Sequence, residues 1–202
     1  MDIYQIILYL NNSLLVISAF IGLLKYRSFK NTEKWYVYYI IFLFLIEAAA
    51  KISIKLFHVK DLGFLFPYYV AGDFLLLGIL FIRKLGLSRI WYIPVALLAG
   101  FFLLDVGIIP NEVKKVISNI IIICFAGYAL LMEIKNTRID NRFMPVDGLI
   151  FLYYGLSVFL FFLIRQLAGF NTEQVEIIWG INNTLCIFLY ISIIYTFLKL
   201  KK

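Results

Sequence analysis

Apolar residues run along this chain in long stretches, and short polar segments separate them. The pattern predicts seven helical spans, at about 3–24, 35–57, 67–83, 90–109, 113–132, 147–167 and 176–198. Each is close to the ~20 residues that a bilayer-crossing helix needs. The prolines agree with these limits. Pro67 and Pro145 fall at span starts, where a missing N–H leaves no bond unmade, Pro94 lies within the first two turns of span 4, and Pro110 follows its end. Trp35, Trp91 and Trp179 all fall near span entrances, as interfacial anchors do.

Composition carries the same message. Of 202 residues, 63% are hydrophobic and 15% charged, with a mean hydropathy of +0.94. Soluble domains hold roughly 45–50% apolar and about 25% charged residues. The predicted fold is therefore all-α, a single polytopic membrane domain over residues 1–202, built as a seven-transmembrane-helix bundle. The first span is long enough to stay in the membrane, and no basic segment precedes it, so it reads as an anchor rather than a cleaved leader.

The net charge of +7 takes its meaning from where the charges fall. Segments 25–34, 83–89, 133–146 and the C-terminal tail hold thirteen Lys and Arg. They include Lys25, Arg27, Lys30, Lys34, Arg138 and Arg142. The alternate segments hold Lys60, Lys114 and Lys115 alone. The positive-inside rule then predicts an N-out/C-in orientation, with the basic loops in the cytoplasm. Those six basic residues are the candidate face for a cytoplasmic protein or ribonucleoprotein.

Polar residues inside spans are expensive and are functional candidates by default. Glu47, Lys51 and Lys55 repeat at i, i+4, i+8 on span 2, with Glu ahead of Lys, the favourable order. Lys51 calls for a carboxylate, from Glu47 or Asp73. Together with Asn119, Asn182 and Asn183, these residues predict a polar chamber open to the outside. Its walls are Glu47, Lys51, Asp73, Asn119, Asn182 and Asn183. The opposite half of the bundle is expected to be aromatic and aliphatic. Asp73 and Asn182 sit at similar depths in spans 3 and 7, which suits a three-plus-one-plus-three arrangement like that of small sugar transporters.

Several chemistries lack their residues. His58 is the sole histidine and lies in a predicted loop, so a three-histidine zinc site within the membrane is excluded. The last span has no deep lysine for a retinal Schiff base. There is no phosphate-binding loop. Cys124 and Cys186 lie in apolar runs and are expected to be small buried hydrophobes, not metal ligands. No cofactor is expected, and no catalytic set.

Three resemblances add to this reading. The sequence Gly72-Asp73-Phe74-Leu75-Leu76 resembles the intramembrane Gly-Asp of the multi-span lysoplasmalogenases, which implies a lysolipid hydrolase; the histidines and further aspartate of such a site have no counterparts here. Asp73, with Asp105 as its partner, is also similar to the Gly-Asp motif of intramembrane aspartyl proteases, although Val70 replaces a glycine of that motif. The third rests on the basic stretch Lys25 to Lys34, the polar span 2, Pro67-Tyr68-Tyr69, and Ile178-Trp179-Gly180-Ile181-Asn182-Asn183. With its richness in Ile, Lys, Asn and Tyr, the chain resembles seven-span inner-membrane proteins of AT-rich Gram-negative bacteria. In size and membrane character it is similar to the small membrane accessory proteins of type VI-B CRISPR systems. That resemblance implies an accessory role in antiviral defence. The lack of a catalytic set and of an output domain favours a non-enzymatic sensor or accessory protein, with which homo-oligomers are compatible. A small-solute or ion transporter is the alternative, and a lysolipid hydrolase the third.

Overall fold

The computed structural model describes residues 3–59, 61–104, 109–135, 141–164 and 172–199. These fold into α1 (Ile3–Leu24), α2 (Lys34–Phe57), α3 (Phe66–Lys84), α4 (Tyr92–Leu103), α5 (Asn111–Lys135), α6 (Met144–Ile164) and α7 (Thr172–Leu198), with no strand among the described residues. Pro67 and Pro145 are the second residues of α3 and α6. At that position a helical φ is useful and the absent donor is harmless. α2 ends where His58 turns left-handed at φ 51° and Val59 N–H donates back to the Ser53 carbonyl over 3.2 Å. That closure satisfies a carbonyl which the helix itself leaves open.

Six helices close a ring. α1 packs on α2 and α7, α3 on α2 and α5, and α6 on α5 and α7. α4 stands outside the ring against α3. α3 is accordingly enclosed on several sides, and Val70, Phe74, Leu77, Leu80, Phe81 and Ile82 form the middle of the core. Contacts between helix ends fix the directions. Lys25 Nζ donates to the Leu198 carbonyl over 2.7 Å, joining the ends of α1 and α7. Arg142, just before α6, pairs with Glu33, just before α2. The C-termini of α1, α3, α5 and α7 thus share one end of the bundle with the N-termini of α2 and α6. This is the basic end.

Five segments are long and apolar enough to cross a membrane: Ile3–Leu24, Gly63–Lys84, Asn111–Lys135, Met144–Phe162 and Gln174–Leu198. α2 matches them in length, at 24 residues, but carries Glu47, Lys51 and Lys55. α4 has only 12 residues. At ~1.5 Å per residue it covers about 18 Å, short of the ~30 Å hydrocarbon core. The expected span 90–109 is corrected here, because the helix stops at Leu103 and Leu104 is extended. Phe20, Leu97, Phe162 and Phe188 are among many large apolar side chains left exposed on the bundle surface. So much uncovered apolar surface fits a lipid environment.

Candidate functional site

α3 places Asp73 in the core with no solvent exposure. Its partner is Lys115 of α5, at 2.7 Å, and that side chain is only 1% exposed. Tyr154 of α6 donates to the other Asp73 oxygen over 2.5 Å, and the Tyr39 hydroxyl of α2 meets the Tyr154 hydroxyl at 3.1 Å. The remaining donors of the Lys115 ammonium face aromatic rings, with Tyr69 at 4.3 Å and Tyr154 at 5.3 Å to the centroid. Two charges buried so deeply need both mutual pairing and satisfied hydrogen bonds. Here four helices supply them around a neutral pair. Gly72, the glycine of the Gly-Asp dipeptide, abuts the Phe42 ring, where a Cβ has no room.

Beside this network lies a polar chamber of about 260 Å³. α1 lends Asn11, Asn12 and Leu15; α2 lends Tyr39, Leu43, Ile46 and Glu47; α3 lends Tyr69; α6 lends Tyr153; and α7 lends Asn183, Cys186 and Tyr190. On α2 and α7 these positions recur at three- and four-residue intervals, so each helix turns one stripe inward. The residues of α1, α2 and α7 fall near the middle of those helices, which puts the chamber at mid-height. Tyr39 belongs both to its wall and to the Tyr154–Asp73–Lys115 chain. Asn11 Nδ2 donates to Asn183 Oδ1 over 3.4 Å, and Asn183 Nδ2 to the Trp179 carbonyl over 2.9 Å.

The residues expected to wall one chamber fall in several places. Glu47 and Asn183 line it. Lys51 does not; it pairs with Glu47 at 3.4 Å on the exposed side of α2, with its side chain 52% exposed. Asp73 is one hydrogen-bonded tyrosine behind the wall rather than on it. Asn119 is buried elsewhere, donating to Ser157 Oγ over 3.0 Å and linking α5 to α6. Asn182 is buried but outside the lining. Lys114 and Lys115, expected in a loop, lie in α5 and are buried, Lys114 donating to the Leu104 carbonyl at the end of α4 over 2.9 Å. Cys186 is buried as expected, whereas Cys124 is exposed. Asp105, Lys60 and Arg165 lie outside the described residues.

A second charged cluster, not anticipated from the sequence, lies at the helix ends of the basic side. Lys84 at the end of α3 bridges Asp147 of α6 and Glu133 of α5, the latter at 2.6 Å. Tyr36 of α2 donates to Asp147 over 2.5 Å and stacks on Phe143 at 4.3 Å. Asn141 donates to Glu133. Tyr36 and Tyr39 are three residues apart on one face of α2, and each reaches a buried carboxylate, the second through Tyr154.

The basic residues divide by environment. Arg27 and Lys30 are exposed. Lys34 lies over the Tyr26 ring at 5.2 Å, and Lys25 is tied to α7. Arg142 forks onto both oxygens of Glu33, at 2.7 and 2.8 Å. Arg138 lies outside the described residues. A separate cleft of about 630 Å³ between α2, α3 and α4 is almost wholly apolar, lined by Phe42, Phe64, Leu75, Ala99 and others. Among the described residues no group of His, Cys, Asp and Glu is placed to hold a metal.

Comparison with protein-family models, with curated proteins and with solved structures returns no match.

Proposed function

We propose that this protein is a non-enzymatic, ligand-responsive accessory protein of a bacterial inner membrane, with seven spans and its N-terminus outside. A small ligand occupies the mid-height chamber, and its presence is transmitted to the basic end, where Arg27, Lys30 and their neighbours engage a soluble protein or ribonucleoprotein. The observation that carries this reading is the hydrogen-bonded chain from the chamber wall into the core, Tyr39–Tyr154–Asp73–Lys115. A ligand that displaces Tyr39 takes a hydrogen-bond partner from Tyr154, the residue that donates to the buried Asp73 carboxylate. The same helix carries Tyr36 to Asp147 and begins beside Glu33, so a shift of α2 is felt at the Lys84 cluster. Differential contact with two arrangements is what any such response requires.

Transport is the second reading. Glu47 in the chamber and an ion pair in the core supply groups that a proton-coupled carrier would use. Hydrolysis by Asp73 is supported less, because both of its oxygens are engaged, one by Lys115 and one by Tyr154.

The test is affinity purification from native membranes in mild detergent, with mass spectrometry of what is retained. The wild-type chain is expected to hold a stoichiometric soluble protein or ribonucleoprotein, and a variant carrying Arg27→Gln and Lys30→Gln is expected to lose it. Retention of no soluble partner, together with proton-gradient-dependent solute flux in liposomes, would instead select transport.

A further inference from the structure

Three kinds of group meet in the chamber. Glu47 is the one carboxyl side chain among the lining residues. Tyr39, Tyr69, Tyr153 and Tyr190 bring phenol rings from four helices. Asn11, Asn12 and Asn183 bring amides, and Asn11 Oδ1 is a buried acceptor with no hydrogen-bond partner. Asn11 Nδ2 and Asn183 Nδ2 each donate one hydrogen bond within the protein. The cavity thus presents a carboxylate, an unpaired acceptor, aromatic faces and the Asn12 amide.

The neighbouring cations leave that balance in place. Lys115 lies against the Tyr69 ring and is neutralised by Asp73 at 2.7 Å. The Lys51 and Glu47 side chains are both partly exposed, at 52% and 40%, and Lys51 sits 3.4 Å from Glu47 Oε1. That is longer than the ~2.7–2.9 Å of a tight charge-assisted bond, so Lys51 is a weak competitor. Aromatic faces attract cations, increasingly so when water is excluded. An unpaired buried acceptor favours a ligand that donates. A carboxylate repels anions, and an alcohol brings no charge with which to compete against Lys51 for it. At about 260 Å³ the cavity lies below the roughly 300–1,000 Å³ of sites for drug-sized ligands, so its occupant is small.

We infer that the chamber binds a small protonated alkylamine, its ammonium held by Glu47 and Asn11 Oδ1 and its carbon chain laid against the tyrosine rings. This assignment rests on the chamber being the ligand site of the proposed function and names the ligand's chemistry. The amine can be a free solute or the primary ammonium of a lipid headgroup.

The full-length protein in phosphatidylglycerol nanodiscs, titrated calorimetrically with n-propylammonium, tests it. The expected result is saturable binding that n-propanol does not reproduce. Glu47→Gln should weaken it at least tenfold, and Lys51→Met, which removes the competing cation, should strengthen it severalfold. Repeating the titration with phosphatidylethanolamine in the disc separates the sources. A lowered apparent affinity there assigns the site to a headgroup, and an unchanged one to a free amine; both support the amine class. Equal binding of n-propanol, or an affinity indifferent to Glu47→Gln, overturns the assignment. Amine binding by a chain that retains no soluble partner would uphold this inference while rejecting the accessory reading, so the two fail separately.

Discussion

Asp73 and Lys115 form a neutral unit only while each keeps the other, and Tyr154 completes the hydrogen bonding of the carboxylate. Asn119 and Ser157 are equally buried but uncharged. The two contacts should therefore differ in weight. Tyr154→Phe removes a hydrogen bond to an ionised acceptor, for which ~1.5–3 kcal/mol is typical. Asn119→Ala removes an interhelical amide contact, for which about 0.6 kcal/mol is the membrane average. Reversible unfolding in mixed micelles should rank them in that order. Equal effects would mean that Asp73 takes its stability from elsewhere. Tyr36→Phe, which leaves Asp147 with Lys84 alone, is expected to match Tyr154→Phe within a factor of two in the same assay.

Among the elements, α3 and α4 are joined by the fit of Gly78 against Val95, where a Cβ would come within 2.8 Å of Val95 Cγ1. Gly78→Ala should thus push α4 off the ring. Overpacking of this kind costs about 1–3 kcal/mol. Because α4 lies outside the ring, the far-ultraviolet helix signal should hold while a cysteine at Leu98 becomes more accessible to thiol reagents. Unchanged accessibility would show that the α3–α4 contact is looser than described. The helices themselves were largely legible in the sequence, since continuous apolar runs mark six of them to within a few residues. The end of α4 was not, because Leu104, Val106, Ile108 and Ile109 prolong the hydropathic run beyond Leu103, where the helix stops. Lys115 was hidden for the opposite reason. It stands beside Glu112 and Lys114, and a charge cluster after Pro110 reads as loop. Its periodicity was informative, because Lys115, Asn119, Ile122, Ala126 and Ala129 recur on one buried stripe of α5. Glu47 and Asn183 could be placed from the sequence because each is a polar group deep within an apolar run. The Lys84–Glu133–Asp147 cluster could not, since each member sits at a span end where a charge is ordinary, and only packing of three helices brings them together.

Over the whole molecule, two polar layers sit inside an apolar ring, one at the chamber and one at the basic end, and α2 and α6 contribute to both. Tyr36 and Tyr39 on α2, with Asp147 and Tyr154 on α6, form a ladder between them. These bonds tie α2 to α6 at two heights. The whole arrangement depends on the Asp73–Lys115 pair being the fixed point beside the chamber. The most direct measurement is a double-mutant cycle on that pair, with stability read by reversible unfolding of the full chain in one micelle composition. Breaking one side of a buried pair typically costs about 3–5 kcal/mol, because it strands a charge, whereas removing both partners is often close to neutral. Asp73→Asn and Lys115→Met are each expected to destabilise by that amount, and the combined variant to recover most of the loss. Single variants within about 0.5 kcal/mol of wild type, or losses that simply add, would contradict it.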